Sequence, residues 1–242
     1  MLAGCLSSAG YFMGDNLMPP NEQNPKGYFE SFDIEAINEE LLEQVCPLRP
    51  KGWIGQSLFQ QRLRRPERWL AALQRPPRFR VGTDLEQRIG AQTAKAPFCF
   101  KDPRFCYTLP VWAPFTPGAL NLVVFREPGR TATSILNAIA AEPYLRDVRM
   151  TAQRALEVWT AQYRQVLAHG QQGGDWLFVH FDQILNGSAA PRIDSALGVQ
   201  LDRDFPEQRF KRSADQVSPP RDTQMIYAAL CERAGCRPMD AS

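Results

Sequence analysis

The chain has 242 residues, 44% of them apolar and 22% charged, proportions that suit one globular domain and exclude a wholly disordered chain. Its 28 basic and 26 acidic residues leave a formal charge of +2, which points to neither a nucleic-acid partner nor a membrane surface, so any anion site has to be local. The apolar opening run has no basic leader and is cut by Asp15 short of the ~18 residues a membrane span needs, so a cytoplasmic protein with no transmembrane segment is expected. Six scattered cysteines without a Cys-x-x-Cys pair, and only two histidines, His169 and His180, argue for reduced thiols and no metal.

In chain order, Leu2, Ala3, Leu6 and Ala9 recur at helical spacing and predict a helix ending at Gly10. Residues 14–27, rich in Asn, Pro and Gly, read as loop. Asp33 is the expected cap of a helix from Ile34 to about Val45, with Ile34, Ile37, Leu41 and Leu42 on one face. The stretch 47–80 is broken by prolines and holds one expected helix around Glu67–Gln74. Two short apolar runs, Pro97–Phe100 leading into Lys101-Asp102-Pro103-Arg104 and Leu120–Phe125 leading into Arg126, have the character of buried parallel strands. Helices are expected from Gly129 to about Ala141 and from Thr151 to His169, the second with a core stripe of Ala155, Trp159, Tyr163 and Val166. Gly173-Gly174 opens a third strand, Trp176–Phe181, and Ala189–Leu197 closes the reading as a modest helix. Strands alternating with helices predict an α/β fold with a parallel sheet.

Ligands of such sheets gather at the carboxyl ends of the strands. Arg126 stands at one such end, with Arg130, Thr131 and Ser134 on the first turns of the next helix. An arginine fork, helix amides and a hydroxyl together make a dianion site. The plainer alternative is that Arg126 pairs with Glu127 or Asp102 while Ser134 packs on the sheet. Glu30, after the Tyr28-Phe29 pair, is either a partly buried base or an acid placed to favour the following helix dipole. Lys101 and Arg104 either meet a ligand or form ion pairs with Asp102. His180 reads as a core histidine and His169 as a helix-terminal cation.

The strand–Arg126-x7-Ser134–helix pattern, with Pro128 in the turn, resembles the 3′-phosphate-binding motif of PAPS-dependent sulfotransferases, where PAPS is 3′-phosphoadenosine-5′-phosphosulfate. Asn24-Pro25-Lys26-Gly27-Tyr28-Phe29-Glu30, Lys101-Asp102-Pro103-Arg104 and Val179-His180-Phe181-Asp182-Gln183-Ile184-Leu185 resemble segments found in the same order in bacterial members, with Phe181 where a Tyr is usual. The resemblance covers residues 1 to about 200. It implies a single sulfotransferase-like domain over 1–242, a P-loop-like three-layer sandwich with a central parallel sheet, and a helical insertion over 47–95, bearing Trp53 and Trp69, that shapes the acceptor pocket.

It further implies transfer of a sulfuryl group from PAPS to a hydroxyl or amine of a small-molecule, carbohydrate or lipid acceptor, without metal. Glu30 and Lys101 are the catalytic candidates, and Arg126, Ser134, Arg130 and Arg104 the nucleotide-binding ones. Two departures stand out. Met1–Leu6 aligns with residues that follow the family's phosphosulfate loop, so that loop and its strand are expected upstream of Met1, or else the chain is an inactive relative that binds PAP (adenosine 3′,5′-bisphosphate) or PAPS. Arg209-Phe210-Lys211-Arg212-Ser213 falls where the family closes a basic, glycine-containing loop, but it has no glycine and reads as a solvated basic stretch.

Overall fold

The computed structural model describes residues 1–22, 24–46, 48, 58, 62–203, 205 and 217–238. Among these the fold is α/β. The helices are α1 (Leu2–Ser8), α2 (Phe32–Glu43), α3 (Thr83–Thr93), α4 (Phe105–Trp112), α5 (Pro128–Ala141), α6 (Ala152–Gly170), α7 (Phe181–Leu185), α8 (Ala190–Leu197) and α9 (Arg221–Ala234). Strands β1 (Leu120–Phe125) and β2 (Asp175–His180) pair in parallel from Leu120↔Asp175 to Phe125↔His180.

This two-stranded ribbon is covered on both faces because its apolar residues alternate. Leu122, Leu177 and Val179 pack with Leu2, Cys5 and Leu6 of α1 and Ile193 of α8. Val123, Phe125 and Phe178 pack with Trp159, Tyr163 and Leu167 of α6 and with Tyr227 and Leu230 of α9. Successive strand residues point to opposite sides, so a near-continuous apolar run serves two cores. A third cluster joins α5 to α6 through Ala132, Ile135, Ala155 and Leu156. A fourth joins α2, α3 and α4 through Ile34, Ile37, Leu41, Ile89 and Trp112. The α2 apolar face expected from its spacing is buried throughout, and each such side chain is worth roughly 1.5–3 kcal/mol.

Several expectations need correction. Pro97–Phe100 is not a strand but an extended segment with one parallel bridge, Phe12↔Phe98, closed by Phe12 N donating to Pro97 O and Cys99 N donating to Phe12 O, both at 2.8 Å. Pro97 has no amide to extend the ladder. Ser31, not Asp33, caps α2, its hydroxyl accepting from the Asp33 amide at 3.3 Å. The expected helix at Glu67–Gln74 is a 3₁₀ turn, Glu67–Leu70, confined between Pro66 and Pro76-Pro77 in a span too short to nucleate a regular helix. Three helices, α3, α4 and α9, were not expected. Of the 47–95 insertion, the described residues hold that 3₁₀ turn and α3, while Trp53 and Arg209–Ser213 lie outside the described residues.

The start of α5 is hemmed in by the chain that leads to α9. A Cβ added at Gly129 would lie 2.3 Å from the backbone oxygen of Val217. Gly129→Ala is therefore expected to destabilise the fold by about 1–3 kcal/mol despite alanine's higher helix propensity, because backbone rather than a flexible side chain has to move. Thermal unfolding should register this as a midpoint lowered by about 2–4 °C per kcal/mol.

Candidate functional site

A cleft of about 1770 Å³ runs along β1, lined by Leu120 to Val124, by Arg126 just past the carboxyl end of that strand and by Phe181 just past β2. Glu30, Lys101, Arg126, Arg130 and Ser134 all line it, although they come from three separate stretches of chain. Arg126 leaves the end of β1 and is half-buried. Its guanidinium lies 5.1 Å from the centre of the Phe181 ring, over the first residue of α7. Burial, and then the charge of Arg130, holds Arg126 below the ordinary arginine range, with Asp182 and Glu127 opposing. The charges of Arg126 and Arg130 oppose each other at this half-buried strand end, an arrangement that favours an anion. Ser134 follows one turn after Arg130, and Asn137 and Glu142 continue along the cleft. That α5 stripe was legible in the three- and four-residue spacing from Arg130, yet neither Asn137 nor Glu142 was singled out.

The amides of α5 do not join this site. Glu127 caps the helix, its two carboxylate oxygens accepting from Gly129 N at 2.9 Å and Arg130 N at 2.6 Å. The side chain is buried, so the positive end of the helix dipole already holds an anion supplied by the chain. The Thr131 hydroxyl is engaged as well, donating to Glu127 O at 3.0 Å. The dianion reading thus rests on side chains alone.

Arg104 is a second correction. Only 2% exposed, it donates to Glu39 Oε1 at 2.6 Å, Glu35 Oε1 at 2.9 Å, Asp102 Oδ1 at 3.2 Å and Pro66 O at 2.8 Å. Burial works against its charge, and the carboxylates of Asp102, Glu39 and Glu35 more than reverse that, so it stays above the usual arginine range. A guanidinium shared among three carboxylates braces the cleft wall and has no fork left for an incoming phosphate. Arg68, fully buried, joins the same network by donating to Glu39 Oε2 at 2.9 Å.

Glu30 precedes the Ser31 cap and so lies outside α2, which removes the helix-dipole reading; Asp33 and Glu35 occupy the first turn instead. Its carboxylate pairs with Lys101, whose ammonium also donates to Tyr28 O at 3.1 Å. Lys101 therefore faces Glu30 rather than Asp102, which turns inward to Arg104 and to the Asn38 amide at 3.0 Å. Burial raises the Glu30 carboxyl above its ordinary value, with Lys101 pulling the other way. The raised direction means that the proton is held more tightly in the folded protein, so a base role requires pH above this elevated value. Lys101→Met removes the opposing cation, and the Glu30 carboxyl followed by carbon NMR is expected to titrate at still higher pH; an unmoved midpoint would show that the pair does not set this ionisation.

The loop carrying Glu30 is held under strain. Phe29 has φ 55°, unusual for a bulky residue and the kind of outlier found at binding and catalytic sites. The surroundings that hold it are visible: Tyr28 OH and the Asn21 amide both reach Glu142 Oε1, at 3.3 and 3.2 Å. Lys26 donates to Phe205 O at 2.6 Å and lies 4.5 Å from the Phe205 ring centre. The Phe29 and Phe205 rings meet edge to face at 5.8 Å, and the Phe205 ring packs so closely on Gly4 that a Cβ there would sit 2.1 Å from it.

The histidines stay outside the chemistry. His180 Nδ1 accepts from Asp182 N at 3.2 Å, which leaves Nε2 protonated to meet Tyr227 OH at 3.2 Å. His169 is buried in the last turn of α6 with Nε2 3.1 Å from Cys106 O. Burial holds both below the ordinary histidine value, so His169 is a neutral donor rather than the expected helix-terminal cation. Among the described residues no group of three His, Cys, Asp or Glu side chains is placed to hold a metal ion, and no helix is long and apolar enough to cross a membrane. Comparison with protein-family models, with curated proteins and with solved structures found no match to this chain.

Proposed function

We propose that this cleft binds PAPS and passes its sulfuryl group to a hydroxyl or amine of a small-molecule, carbohydrate or lipid acceptor. The observation that carries the reading is that Glu30, Lys101, Arg126, Arg130 and Ser134 line one cleft, the last three where β1 gives way to α5. On this reading the ribbon covered by helices on both faces is part of a three-layer sandwich with a central parallel sheet.

Arg126 and Arg130 supply two cations to the 3′-phosphate and Ser134 a hydroxyl donor. PAPS supplies an activated sulfuryl group whose leaving phosphate departs with the bonding electron pair. Glu30 takes the acceptor proton as the new sulfur–oxygen or sulfur–nitrogen bond forms, and Lys101 fixes the carboxylate and adds positive charge beside it.

Calorimetry with PAP and with adenosine 5′-phosphate, which lacks the 3′-phosphate, tests the binding. PAP is expected to bind at least about 100-fold more tightly, since a dianion facing two arginines gains several charge-assisted hydrogen bonds; equal affinities would overturn the assignment. PAP release from PAPS in the presence of simple alcohols and phenols then separates a transferase from a protein that only binds the nucleotide.

A further inference from the structure

The C-terminal end of α9 carries two thiols placed against each other. Gly235 ends the helix with φ 64° and ψ 35°, and the Cys236 amide donates to Cys231 O at 2.9 Å. This six-to-one bond defines a Schellman cap, a motif that brings the side chains at its two ends into contact. Here both ends are cysteines. Cys231 is fully buried beside Tyr227 and Leu230, and Cys236 packs on the same cluster from a partly exposed position. The 2.9 Å bond from the Cys236 amide to the Cys231 carbonyl holds the two residues side by side, as a disulfide between them requires.

We propose that Cys231 and Cys236 are a peroxide-responsive pair that closes to an intramolecular disulfide. Cys236 is the member that meets solvent, so its sulfur attacks the peroxide oxygen; the O–O bond breaks, one water leaves and Cys236 carries a sulfenic acid. The Cys231 sulfur then displaces that hydroxyl, its own proton leaving with it as a second water, and the S–S bond forms with each sulfur oxidised by one electron equivalent. Burial, together with Cys236, pushes the Cys231 thiol up to about 12. Cys231 is therefore a poor first target and acts only on a partner already in contact.

The bond would staple an end of α9 that supports the strand ends. Ala234 O accepts from Arg192 Nη1 at 2.7 Å and from Gln183 Nε2 at 3.1 Å, while Gln183 Oε1 accepts from His180 N at 2.9 Å. Tyr227, one turn before Cys231, meets His180, the last residue of β2.

The full chain, reduced and then treated with stoichiometric hydrogen peroxide, should lose two of its six thiols to alkylation after unfolding. Trypsin cuts after Arg233, between the two cysteines, so the bond appears as a linked peptide pair that separates on reduction. Cys236→Ser should lose that pair entirely, and Cys231→Ala should leave Cys236 trapped as a sulfenic acid that reacts with dimedone. Both cysteines alkylated in treated wild type, or Cys236 joined to any other cysteine or to a second chain, would overturn the proposal.

Discussion

Glu39→Ala is expected to lower the unfolding free energy by about 3–5 kcal/mol. Glu39 is only 2% exposed and its two oxygens serve different cations, Oε1 the Arg104 Nε and Oε2 the Arg68 Nη1. Truncation leaves both guanidiniums in the interior without the carboxylate that offsets their desolvation. Arg104 keeps Asp102 and Glu35, but Arg68 keeps only the Glu39 backbone oxygen at 3.3 Å and a looser approach to Glu43 at 3.7 Å. Domains of this kind are stable by about 5–15 kcal/mol in total, so the loss is a large share. Thermal and urea unfolding measure it directly. Glu39→Gln, which keeps the volume and one acceptor, should fall between wild type and alanine, and a loss below about 1 kcal/mol for alanine would mean that the network contributes little.

The second large effect concerns ligand rather than fold. Arg126→Ala should weaken PAP binding by roughly two to four orders of magnitude, because a bidentate arginine contributes two charge-assisted hydrogen bonds of about 1.5–3 kcal/mol each and 1.4 kcal/mol is tenfold. The loss of stability should be much smaller than the loss of affinity, because the half-buried Arg126 stands at a strand end rather than in a core and burial and Arg130 already oppose its charge; thermal unfolding of the variant checks this. Arg126→Lys keeps the charge but not the fork, and its loss should be intermediate. Calorimetry on the three proteins decides the matter, and undiminished affinity in the alanine variant would remove Arg126 from the site.

The unit β1–α5 was legible almost to the residue, because an apolar run, a Glu-Pro turn and a periodic helix follow one another without ambiguity. What misled was the assumption that helix amides beside an arginine await a ligand. Glutamate is an uncommon cap compared with Ser, Thr, Asp or Asn, and nothing local says that Glu127 will fold back onto its own helix. Arg104 was misread for a related reason. Its partners lie on α2, and only the recurrence of Glu35, Glu39 and Glu43 every four residues, a row of carboxylates alongside the apolar face, hinted that α2 required buried cations. Pro110 hid α4: it has no amide to give to Cys106 O, which instead accepts from His169 Nε2 at 3.1 Å. In α3 the signals were present, with Asp84 and Glu86 in the first turn and Leu85 and Ile89 four apart, but they sat in a stretch dominated by proline and arginine.

The Lys26–Phe205 contact joins residues 179 positions apart, and the strained Phe29 beside it sets the posture of Glu30. This side of the cleft is in that sense a clasp between an early and a late segment of the chain. Folding has to bring those ends together before Glu30 faces Lys101 in a fixed way, which makes this corner one of the last to form because long-range closure is the slowest step of assembly. A single protease cut after the exposed Arg203 would then part Leu201 from Phe205, which both pack on the α1 core beside the cleft, while leaving the α6–α9 core of β1 and β2 standing, so an intact spectrum of secondary structure would be a poor guide to whether the protein still works.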